Sequence, residues 1–565
     1  MSRFVQVMPE PPDPYRADPL LRSWLRRRLG GEDRAAASRL AALAAEVTGP
    51  LREAHRQAEA NPPRLVRYDP WGARVDRVET PAGWQTHRRA AARHALVALP
   101  YLPGARSQWG AAARVVQHAL LHLYGPESAT YSCPVAMSDG AAALLGHREV
   151  DPKLRDAWLP RLVATDPEQV VTSGQWMTEA TGGSDLAGAG STARPAAGDR
   201  EAGPAGDGWW RVSGDKWFCS AIDADIAVAL ARPEGAQEGS RGLVPFLVPR
   251  YAAGGGTAPG LRVHRLKDKL GTRALPTAEI SLADAYAQPL GDPGRPGLVR
   301  MMSLVRVARL HNAAAAAAGM RRGLAYAHTY ATVRRVAGGR LATSPLHRAT
   351  LGTLGVDAAG AFALAGHGFG LLGRVEVDQD PQAATELRIV APLAKLATGR
   401  LAVASAAEYL ECFGGAGYVE DTGIPRLLRD AQVLPIWEGT TNVLALDVQR
   451  AVVREGAAEP VLTRLDTAAE AAPALADPLR AATARLREAL AAVVADPYGE
   501  AVLAGARGLA LALAHALAAA LLVEQAGGGD PLAELAARLW TRRWLAGQDI
   551  AVEAHAHADE LSVGA

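Results

Sequence analysis

The stretch LPIWEGTTNVLALDVQR, residues 434–450, places Glu438 between Trp437 and Gly439, with a hydroxyl at Thr440 just beyond. A carboxylate that is held against an indole and largely removed from water has a raised pKa. Such a group is suited to removing a weakly acidic proton next to a carbonyl near neutral pH. The alternative is that Glu438 stabilises the N-terminal end of a helix that begins at Thr440. From these residues alone, both interpretations remain open.

Helical patterning surrounds this stretch. From Leu298 to the end of the chain, apolar residues recur at helical spacing, and the short side chains of Ala313–Ala318 let neighbouring helices pack closely. We therefore predict a C-terminal helical bundle over residues 291–450. Residues 451–565 are also rich in Ala and Leu but are interrupted by prolines and a glycine cluster, which predicts an additional domain of several shorter helices.

The middle of the chain has a different character. Short β-prone runs alternate with turns over residues 170–290, which predicts a small β-barrel or β-sandwich domain, whereas residues 1–169 predict an N-terminal helical domain. The fold class is therefore α+β. Three stretches rich in Gly or Pro have little to bury, and we predict loops for them, the first a mobile hairpin loop: Ala187–Gly208, Pro233–Arg241 and Ala252–Gly260.

Bulk composition excludes several classes of partner. The 565 residues include 61 basic and 59 acidic side chains, so no global field attracts nucleic acid or anionic lipid. Three widely separated cysteines favour a reducing compartment, with the cytoplasm as the default, and argue against disulfides or a metal site. The most apolar run, Leu509–Val523, has 15 residues, fewer than the roughly 20 that span a bilayer, so we predict a buried helix and no membrane partner.

Two segments of the β domain carry candidate binding groups. In QWMTEATGGSDL, residues 175–186, the hydroxyls of Thr178 and Ser184 flank glycines that let several N–H groups meet one planar polar ligand. Farther along, GDKWFCS offers an aromatic face at Phe218 and a hydroxyl at Ser220. The alternative is a capped turn and an ordinary strand with a core aromatic.

Two glycine-rich segments call for different interpretations. GFGLLG, residues 368–373, matches GxGxxG, but its flanks indicate a helix end and a loop rather than the strand and helix that a Rossmann dinucleotide site requires. We therefore predict a loop or a helix C-cap there. In FGGAGY, residues 413–418, successive glycines would allow backbone amides to approach a phosphate.

Together these segments resemble the acyl-CoA dehydrogenase superfamily. MTEATGGSDL resembles its TExxxGSD flavin segment, GDKWFCS its G-x-K strand, KLGTRALPT its KLGxR loop, FGGAGY its Gly-rich turn and WEGTTN its catalytic Glu-Gly-Thr segment. Asn61–Trp84 and Arg265–Arg273 further resemble the AidB branch, the flavoproteins linked to the adaptive response to DNA alkylation. The resemblance runs from about residue 60 to 450 and continues more loosely beyond.

The resemblance implies an FAD enzyme with three groups of cofactor residues. An arginine that pairs with the FAD pyrophosphate across subunits corresponds to Arg335 in RRVAGG, where Gly338 replaces the usual Phe. Gly414 and Gly415 would complete this cross-subunit part. The residues expected around the flavin ring and ribityl chain are Met177, Thr178, Gly183, Ser184, Phe218 and Ser220, together with Trp437, Thr440 and Asn442 from the WEGTTN segment.

The resemblance also implies a reaction and partners. Glu438 would remove the α-proton of an acyl-CoA or related thioester while the β-hydrogen leaves as hydride to flavin N5, giving a 2-enoyl thioester. A homo-oligomer, a dimer or a dimer of dimers, is implied, and an electron-transferring flavoprotein or oxygen would accept the electrons. A weaker alternative is oxidation of a non-thioester metabolite on the same scaffold.

A DNA-binding flavoprotein of the alkylation-damage response, with weak dehydrogenase activity, is the competing prediction. Residues 451–565 contain nine Arg, no Lys and fifteen acidic residues, a net charge of −6, which is a poor surface for phosphates. The tight cationic pair in this segment is Arg542 with Arg543, and Arg22–Gly31 supplies a second basic cluster. Charge alone therefore favours solvated or packed faces for both.

Overall fold

The computed structural model describes residues 6–183, 185–196, 208–252, 255–336 and 338–562. Contacts within the chain group these residues into two compact units. Unit 1 comprises the described residues of Met1–Thr48, Pro103–Pro126 and Arg309–Ala565, and unit 2 comprises those of Gly49–Leu102 and Glu127–Ala308. The division into four consecutive domains stays a prediction.

The secondary structure alternates as the sequence indicated, from helices to strands and back to helices. The strands are β1 (Arg64–Tyr68), β2 (Arg74–Glu79), β3 (Ser173–Trp176), β4 (Thr192–Pro195), β5 (Trp210–Ser220), β6 (Ile226–Pro233), β7 (Val244–Pro249), β8 (Leu261–Leu266), β9 (Thr277–Pro289), β10 (Arg335–Val336) and β11 (Gly339–Arg340). The α-helices are α1 (Pro19–Leu29), α2 (Arg34–Val47), α3 (Pro50–Ala60), α4 (Ala82–Arg93), α5 (Pro103–Trp109), α6 (Ala113–Tyr124), α7 (Ser132–Leu145), α8 (Pro152–Leu162), α9 (Leu298–Val333), α10 (Pro345–Gly373), α11 (Pro381–Phe413), α12 (Pro425–Ala431), α13 (Thr441–Glu455), α14 (Glu459–Ala471), α15 (Ala476–Ala495), α16 (Glu500–Ala526), α17 (Pro531–Trp540), α18 (Ala551–Ala556) and α19 (Ala558–Ser562).

Unit 2 contains a closed β-barrel. β6 pairs with β4, β4 with β5, β5 with β9 and β9 with β7, and β7 pairs with β6, so the hydrogen-bonded ring closes on itself. β3 adds to β6 in parallel, and β8 pairs with β9. The predicted middle β domain is confirmed, and the closure identifies it as a barrel.

Strand β6 shows how the barrel and the helices of unit 2 share a core. Successive side chains of a strand point to opposite faces. The alanines of β6 belong to the barrel core, and the alternating larger residues belong to a second core that also contains residues of α7 and α8. These residues are Ala227, Ala229 and Ala231 on the barrel side and Ile226, Val228 and Leu230 on the helical side. A strand buried on both faces explains the uninterrupted apolar run IAVALA, residues 226–231.

Unit 1 is a helical bundle in which glycines allow the closest approaches. An added Cβ at Gly323 in α9 would lie 2.4 Å from the ring of Tyr409 in α11, and one at Gly360 in α10 would lie 2.1 Å from the ring of Trp540 in α17. Helices α16 to α19 all pack against α10. The C-terminal helices predicted beyond residue 450 are therefore confirmed as an extension of this bundle.

Several local expectations were wrong. The pairs β1–β2 and β10–β11 form two-stranded hairpins in segments predicted to be mainly helical. Within Ala187–Gly208, β4 pairs with β5 and β6, so part of this segment belongs to the barrel, while residues 197–207 lie outside the described residues. Barrel closure needs a strand there, which composition did not indicate. The described parts of Pro233–Arg241 and Ala252–Gly260 do connect strands, as expected.

The GFGLLG segment is helical rather than a loop or C-cap. Gly368, Gly370 and Gly373 lie in the last turns of α10, and a π-helical turn follows at Arg374–Asp378. An added Cβ at Gly373 would lie 2.0 Å from the carbonyl oxygen of Ala111. Close packing of the backbone thus accounts for a glycine of this motif, and the rejection of a Rossmann site holds because a helix, not a strand, contains it.

Within the described part of the chain, three helical segments are long and apolar enough to cross a bilayer by length and composition alone: Pro345–Asp378, Pro381–Gly417 and Glu500–Ala526. Their most apolar windows are 89%, 83% and 67% buried inside the protein. The run Leu509–Val523 lies within α16, as expected, but α16 has 27 residues and is longer than that run suggested. The absence of a membrane partner stays a prediction.

Candidate functional site

Glu438 lies in a tight turn between α12 and α13. Its side chain is half-buried, less removed from water than the sequence suggested, and its backbone has a φ of +56°. This left-handed conformation costs roughly 1–2 kcal/mol for a residue with a Cβ, so the surrounding structure must enforce it. α13 begins at Thr441, and Glu438 precedes the N-cap residue Thr440 by two positions.

Helices α9 and α11 hold the chain that leads into this turn. The side-chain amide of Asn312 in α9 donates a hydrogen bond to the carbonyl oxygen of Leu434 at 3.0 Å. From α11, Gly399 approaches the same residue so closely that an added Cβ would lie 3.1 Å from the Leu434 carbonyl. The position of the turn is therefore set by backbone contacts to two helices of the bundle.

Two buried cations contact the carbonyl groups of the turn itself. Lys395 in α11 is fully buried and donates from Nζ to the carbonyl oxygen of Gly439 at 2.5 Å. Arg309 in α9 donates from Nε to the carbonyl oxygen of Glu438 at 3.3 Å. Burial lowers the pKa of Lys395 to about 7; the Glu438 carboxylate opposes this shift, and Arg309 reinforces it. The lysine amine therefore titrates near neutral pH beside the candidate base.

Asp447 in α13 anchors one of these cations. Its carboxylate accepts from Nη1 of Arg309 at 2.7 Å and from Nη2 of Arg388 at 2.9 Å. Burial opposes ionisation of Asp447, but the two guanidinium groups outweigh it and lower the pKa of this carboxyl. Arg309 is thus fixed between an anion on one side and the turn carbonyl on the other.

The remaining predicted residues of this segment lie on either side of Glu438. Trp437 is half-buried, and its indole N–H has no hydrogen-bond partner among the described residues. Thr440 and Asn442 are exposed at the start of α13. Unit 1 therefore brings together a carboxylate, an indole donor and two exposed polar side chains.

In unit 2, the MTEATGGSDL segment follows strand β3. Met177 and Thr178 are half-buried, and the carbonyl oxygen of Thr178 accepts from the backbone N–H of Trp217 in β5 at 2.9 Å. Gly183 is exposed, and an added Cβ there would lie 2.8 Å from the Thr178 hydroxyl. Ser184 lies outside the described residues.

A buried ion pair holds this segment against the barrel. The carboxylate of Glu179 accepts from Nζ of Lys216 in β5 at 2.7 Å, from the Ser191 hydroxyl at 2.6 Å and from the Gly190 N–H at 2.6 Å. Burial raises the pKa of Glu179, but the Lys216 ammonium and these hydrogen bonds reverse the effect and hold it below its ordinary value. Neither partner was identified as a site residue from the sequence, although both lie inside the quoted motifs.

Phe218 and Ser220 lie at the end of β5. The ring of Phe218 is 53% exposed, which is unusual for phenylalanine, and Nζ of Lys267 lies 4.7 Å from its centre. The Ser220 hydroxyl lies 3.1 Å from that of Thr277 in β9. Phe218 is therefore not the core aromatic of the alternative interpretation, and about half of its surface is exposed beside Lys267.

Gly414 and Gly415 line an open cavity of about 610 Å³ within unit 1. An added Cβ at either glycine would meet nothing within 4 Å, so the backbone here faces free space. Tyr330 and Phe413 stack beside it with ring centres 4.6 Å apart, and Arg334 contributes to the lining. This volume falls in the range typical of small-molecule sites.

Arg335 is exposed on the β10–β11 hairpin, next to the cavity-lining Arg334 and Val336. The hairpin turn contains Gly338 with a φ of +84°, a left-handed conformation that favours glycine. This backbone requirement gives a physical reason for glycine at the position where the family pattern has Phe. Arg334 is a candidate cation that the motif comparison overlooked.

Arg542 and Arg543, the candidate DNA contacts, are engaged within unit 1. Arg542 forms ion pairs and hydrogen bonds with Glu553 and Gln548, and Arg543 lies 3.2 Å from the buried carboxylate of Asp357. Both arginines lie on the π-helical turn that follows α17. Their charges are already compensated, which disfavours this pair as a phosphate-binding surface.

Sequence reasoning found the carboxylate and the exposed binding groups but overlooked the buried cations. Lys395 carried a usable signal, because the chain has only five lysines and this one interrupts the apolar run APLAKLATG. A lysine is rarely fully buried unless it is paired. Arg309 had no comparable signal, since α9 contains several other arginines.

Comparison with known proteins gives consistent matches along the chain. Three family models match: the N-terminal domain of the adaptive response protein AidB over residues 8–169, and the middle and C-terminal domains of acyl-CoA dehydrogenase over residues 174–285 and 295–453. Acyl-CoA dehydrogenase family member 11 of Caenorhabditis elegans is 40% identical, over 79% of this chain and 72% of that protein. The putative acyl-CoA dehydrogenase AidB of Escherichia coli is 31% identical, over 73% of each.

A solved structure agrees over nearly the whole chain. The crystal structure of Caenorhabditis elegans ACDH-11 in complex with C11-CoA superposes with a TM-score of 0.88 at 35% sequence identity. The match covers 97% of this chain and 93% of that one. The C-terminal helices that follow residue 453, where the match to the acyl-CoA dehydrogenase C-terminal domain ends, are therefore largely included in the structural match.

Proposed function

Because this chain belongs to the acyl-CoA dehydrogenase family, we propose that it is an FAD-dependent acyl-CoA dehydrogenase in which Glu438 removes the α-proton of an acyl thioester. The observation that carries the proposal is the half-buried carboxylate of Glu438, presented by a left-handed turn whose carbonyls are held by two buried cations. A base fixed in this way typically contributes about 10²- to 10⁴-fold in rate.

The residues of unit 2 fit a flavin ring. Phe218 offers an exposed aromatic side chain near the end of β5. Ser220 offers a hydroxyl at the end of the same strand, and Thr178 offers one just after the end of β3. Met177 adds a half-buried apolar contact. These groups would hold the isoalloxazine ring, and Ser184 is assigned with them on sequence grounds. When bound, FAD supplies the acceptor for the hydride that leaves the substrate.

The cavity in unit 1 fits the nucleotide end of the cofactor. Open backbone at Gly414 and Gly415 suits close approach by a phosphate or sugar, and the stacked rings of Tyr330 and Phe413 suit an adenine nearby. Arg335 supplies a positive charge on the adjacent hairpin. We propose that this cavity receives the cofactor of a second copy of the chain, so that a homo-oligomer is required.

Proton removal depends on the chain's own groups. Glu438 accepts the α-proton, and its half-buried position limits competition from water. The exposed polar side chains of Thr440 and Asn442 are available for the cofactor, whereas the indole nitrogen of Trp437 beside them is buried. Stabilising the enolate-like charge on the thioester oxygen requires donors, and the backbone N–H of Glu438 is our candidate.

The substrate class follows from the relatives. The ACDH-11 structure contains C11-CoA, and we propose an acyl-CoA or related acyl thioester for this chain. An electron-transferring flavoprotein as electron acceptor, a cytoplasmic location and a dimer of dimers remain proposals from the family resemblance. A DNA-binding role gains no support from Arg542 and Arg543, which form ion pairs within the chain.

The decisive experiment is anaerobic reduction of the purified flavoprotein by a panel of acyl-CoAs. We expect a flavin absorption spectrum that bleaches on addition of at least one acyl-CoA, and a loss of about 10³-fold or more in the bleaching rate for Glu438→Gln, which keeps the shape but cannot accept the proton. Glu459→Gln, on the exposed start of α14, is the matched control and should bleach at the wild-type rate. Wild-type bleaching in Glu438→Gln would remove the proposed mechanism.

A further inference from the structure

Two cations that do not belong to the family motifs quoted above contact the backbone of the turn that contains Glu438. Lys395 and Arg309 lie on different helices, α11 and α9, yet they donate to the carbonyl oxygens of consecutive residues, Gly439 and Glu438. Both residues have positive φ, +56° at Glu438 and +109° at Gly439. A double left-handed turn points its carbonyls in directions that ordinary secondary structure does not satisfy.

We propose that Lys395 and Arg309 are positioning residues for the proposed base: by holding the carbonyl oxygens of Gly439 and Glu438, they fix the left-handed turn and thereby the direction of the Glu438 carboxylate. This inference rests on the proposed function and deepens it. It follows from the contacts, because both cations donate to carbonyl oxygens of the turn, and from the strain, because a left-handed glutamate persists only where its surroundings enforce it.

The two cations are not equivalent. Arg309 is anchored by Asp447, which Arg388 also contacts, so its charge is compensated by a neighbouring anion. Among the described residues, the charged groups that face Lys395 are Glu438 and Arg309. Arg309 therefore acts as a fixed support, whereas Lys395 couples its own protonation to the charge of Glu438.

This coupling predicts a direction for the effect of pH. Burial places the pKa of Lys395 near 7, with Glu438 opposing the shift and Arg309 reinforcing it. Below pH 7 the ammonium stabilises the Glu438 carboxylate and makes it a weaker base, and above pH 7 the neutral amine removes this stabilisation. The rate of proton removal in the wild type therefore rises as pH increases through about 7.

The first test compares Lys395→Met with Lys153→Met, the same chemical change at an exposed position on α8. We expect Lys395→Met to retain FAD but to lose about 10- to 100-fold in the rate of flavin reduction, with a change in KM of less than about 3-fold, because a displaced base affects the chemical step more than binding. The rate increase through pH 7 should disappear in Lys395→Met and persist in Lys153→Met. A wild-type rate with an unchanged pH profile overturns the proposal.

Arg309 provides a second, independent test in case Lys395→Met does not fold. Arg309→Lys keeps a cation but has a single donor nitrogen, so it should retain more of the reduction rate than Arg309→Met, which should lose about 10-fold or more. Equal rates in the two variants contradict a positioning role for the donor at this site. A faster rate in Arg309→Lys than in Arg309→Met supports it even if Lys395→Met does not fold.

A measurement without substrate separates this proposal from the proposed function. Amide hydrogen exchange of the holoenzyme should be faster for residues 434–442 in Lys395→Met than in the wild type, with no change there in Lys153→Met. If no thioester reduces the wild-type flavin but Lys395→Met accelerates exchange in the turn, the proposed function is wrong while Lys395 is still shown to hold the turn. If Glu438→Gln blocks reduction but Lys395→Met changes neither exchange nor rate, the positioning role of Lys395 is wrong and the proposed function is unaffected.

Discussion

The ammonium nitrogen of Lys395 lies 2.5 Å from the carbonyl oxygen of Gly439, the residue that directly follows Glu438. This fully buried lysine thus donates a hydrogen bond to the backbone of a strained turn rather than to a carboxylate. This arrangement lowers the stability of the fold, because both the burial of the amine and the left-handed backbone oppose folding. Its presence therefore indicates a functional role for the turn. The same relationship makes the turn sensitive to small changes.

The first prediction concerns Gly439, where φ is +109° and an added Cβ would lie 2.9 Å from Leu444. Gly439→Ala should displace the turn, reduce the rate of flavin reduction by about 10-fold or more and cost about 1 kcal/mol of stability. Gly456→Ala, at φ +61° with open space around it, is the control. It should cost a similar free energy of unfolding and leave the rate unchanged. Stopped-flow reduction and urea unfolding distinguish the two.

The second prediction concerns the buried pair Glu179 and Lys216. Lys216→Met leaves a buried carboxylate without its cation and should lower the free energy of unfolding by about 3 kcal/mol. The double variant with Glu179→Gln should recover about 1 kcal/mol or more, because the uncompensated charge is removed. Strict additivity of the two single substitutions in urea unfolding would show that the pair is not coupled. Retention of FAD on a desalting column tests whether the flavin segment has moved.

The third prediction concerns stability at acid pH. Burial opposes ionisation of Glu386, but the hydrogen bond with His367 and the Arg464 guanidinium lower its pKa to about 2, from an ordinary value of 4.5. The carboxylate therefore contributes stability that is present above pH 4.5 and is lost as pH falls from 4.5 towards 2. Glu386→Gln should be less stable than wild type at pH 5, and the difference should shrink as the pH is lowered to 3. A difference that is constant with pH contradicts this assignment.

The fourth prediction separates two glycines of the GFGLLG segment. Gly370 has nothing within 4 Å of an added Cβ, so Gly370→Ala should stabilise α10 by about 0.5–1 kcal/mol. Gly373 packs against the backbone at Ala111, so Gly373→Ala should destabilise the protein by about 2 kcal/mol. Thermal unfolding of the two variants is a matched comparison within one helix. We expect the two substitutions to change the stability in opposite directions, which a dinucleotide-binding loop would not produce.

The fifth prediction addresses DNA. Because Arg542 and Arg543 are paired with Glu553 and Asp357, duplex DNA should not be retarded at physiological salt. Any binding at low salt should keep the same salt dependence after Arg542→Gln and Arg543→Gln, since each lost phosphate contact would change the slope by about 0.9. A smaller slope in the double variant would assign these arginines to DNA. Electrophoretic mobility shifts across a salt series measure this directly.

Local patterns determined much of the architecture. Helical periodicity on both sides of a β-prone middle predicted the order of elements, and the motif order predicted the family and the location of Glu438 in the chain. These features are local, so a single sequence can carry them. Strand β4 was not predicted because it pairs with β6, a partner that is distant in the chain. The hairpins β1–β2 and β10–β11 pair residues that are close in the chain, but their short strands lie between helices and were not distinguished from the helical pattern around them.

The sequence by itself determined the residue types available for chemistry: an acid next to an indole, glycines at the tight turns and hydroxyls at the strand ends. Only the tertiary structure decided which groups control that acid. Lys395 lies 44 residues before Gly439, and Arg309 lies 129 residues before Glu438, yet α11 and α9 bring both cations to the same turn. Electrostatic and hydrogen-bonding effects depend on distance in space and on burial, which a linear pattern does not contain.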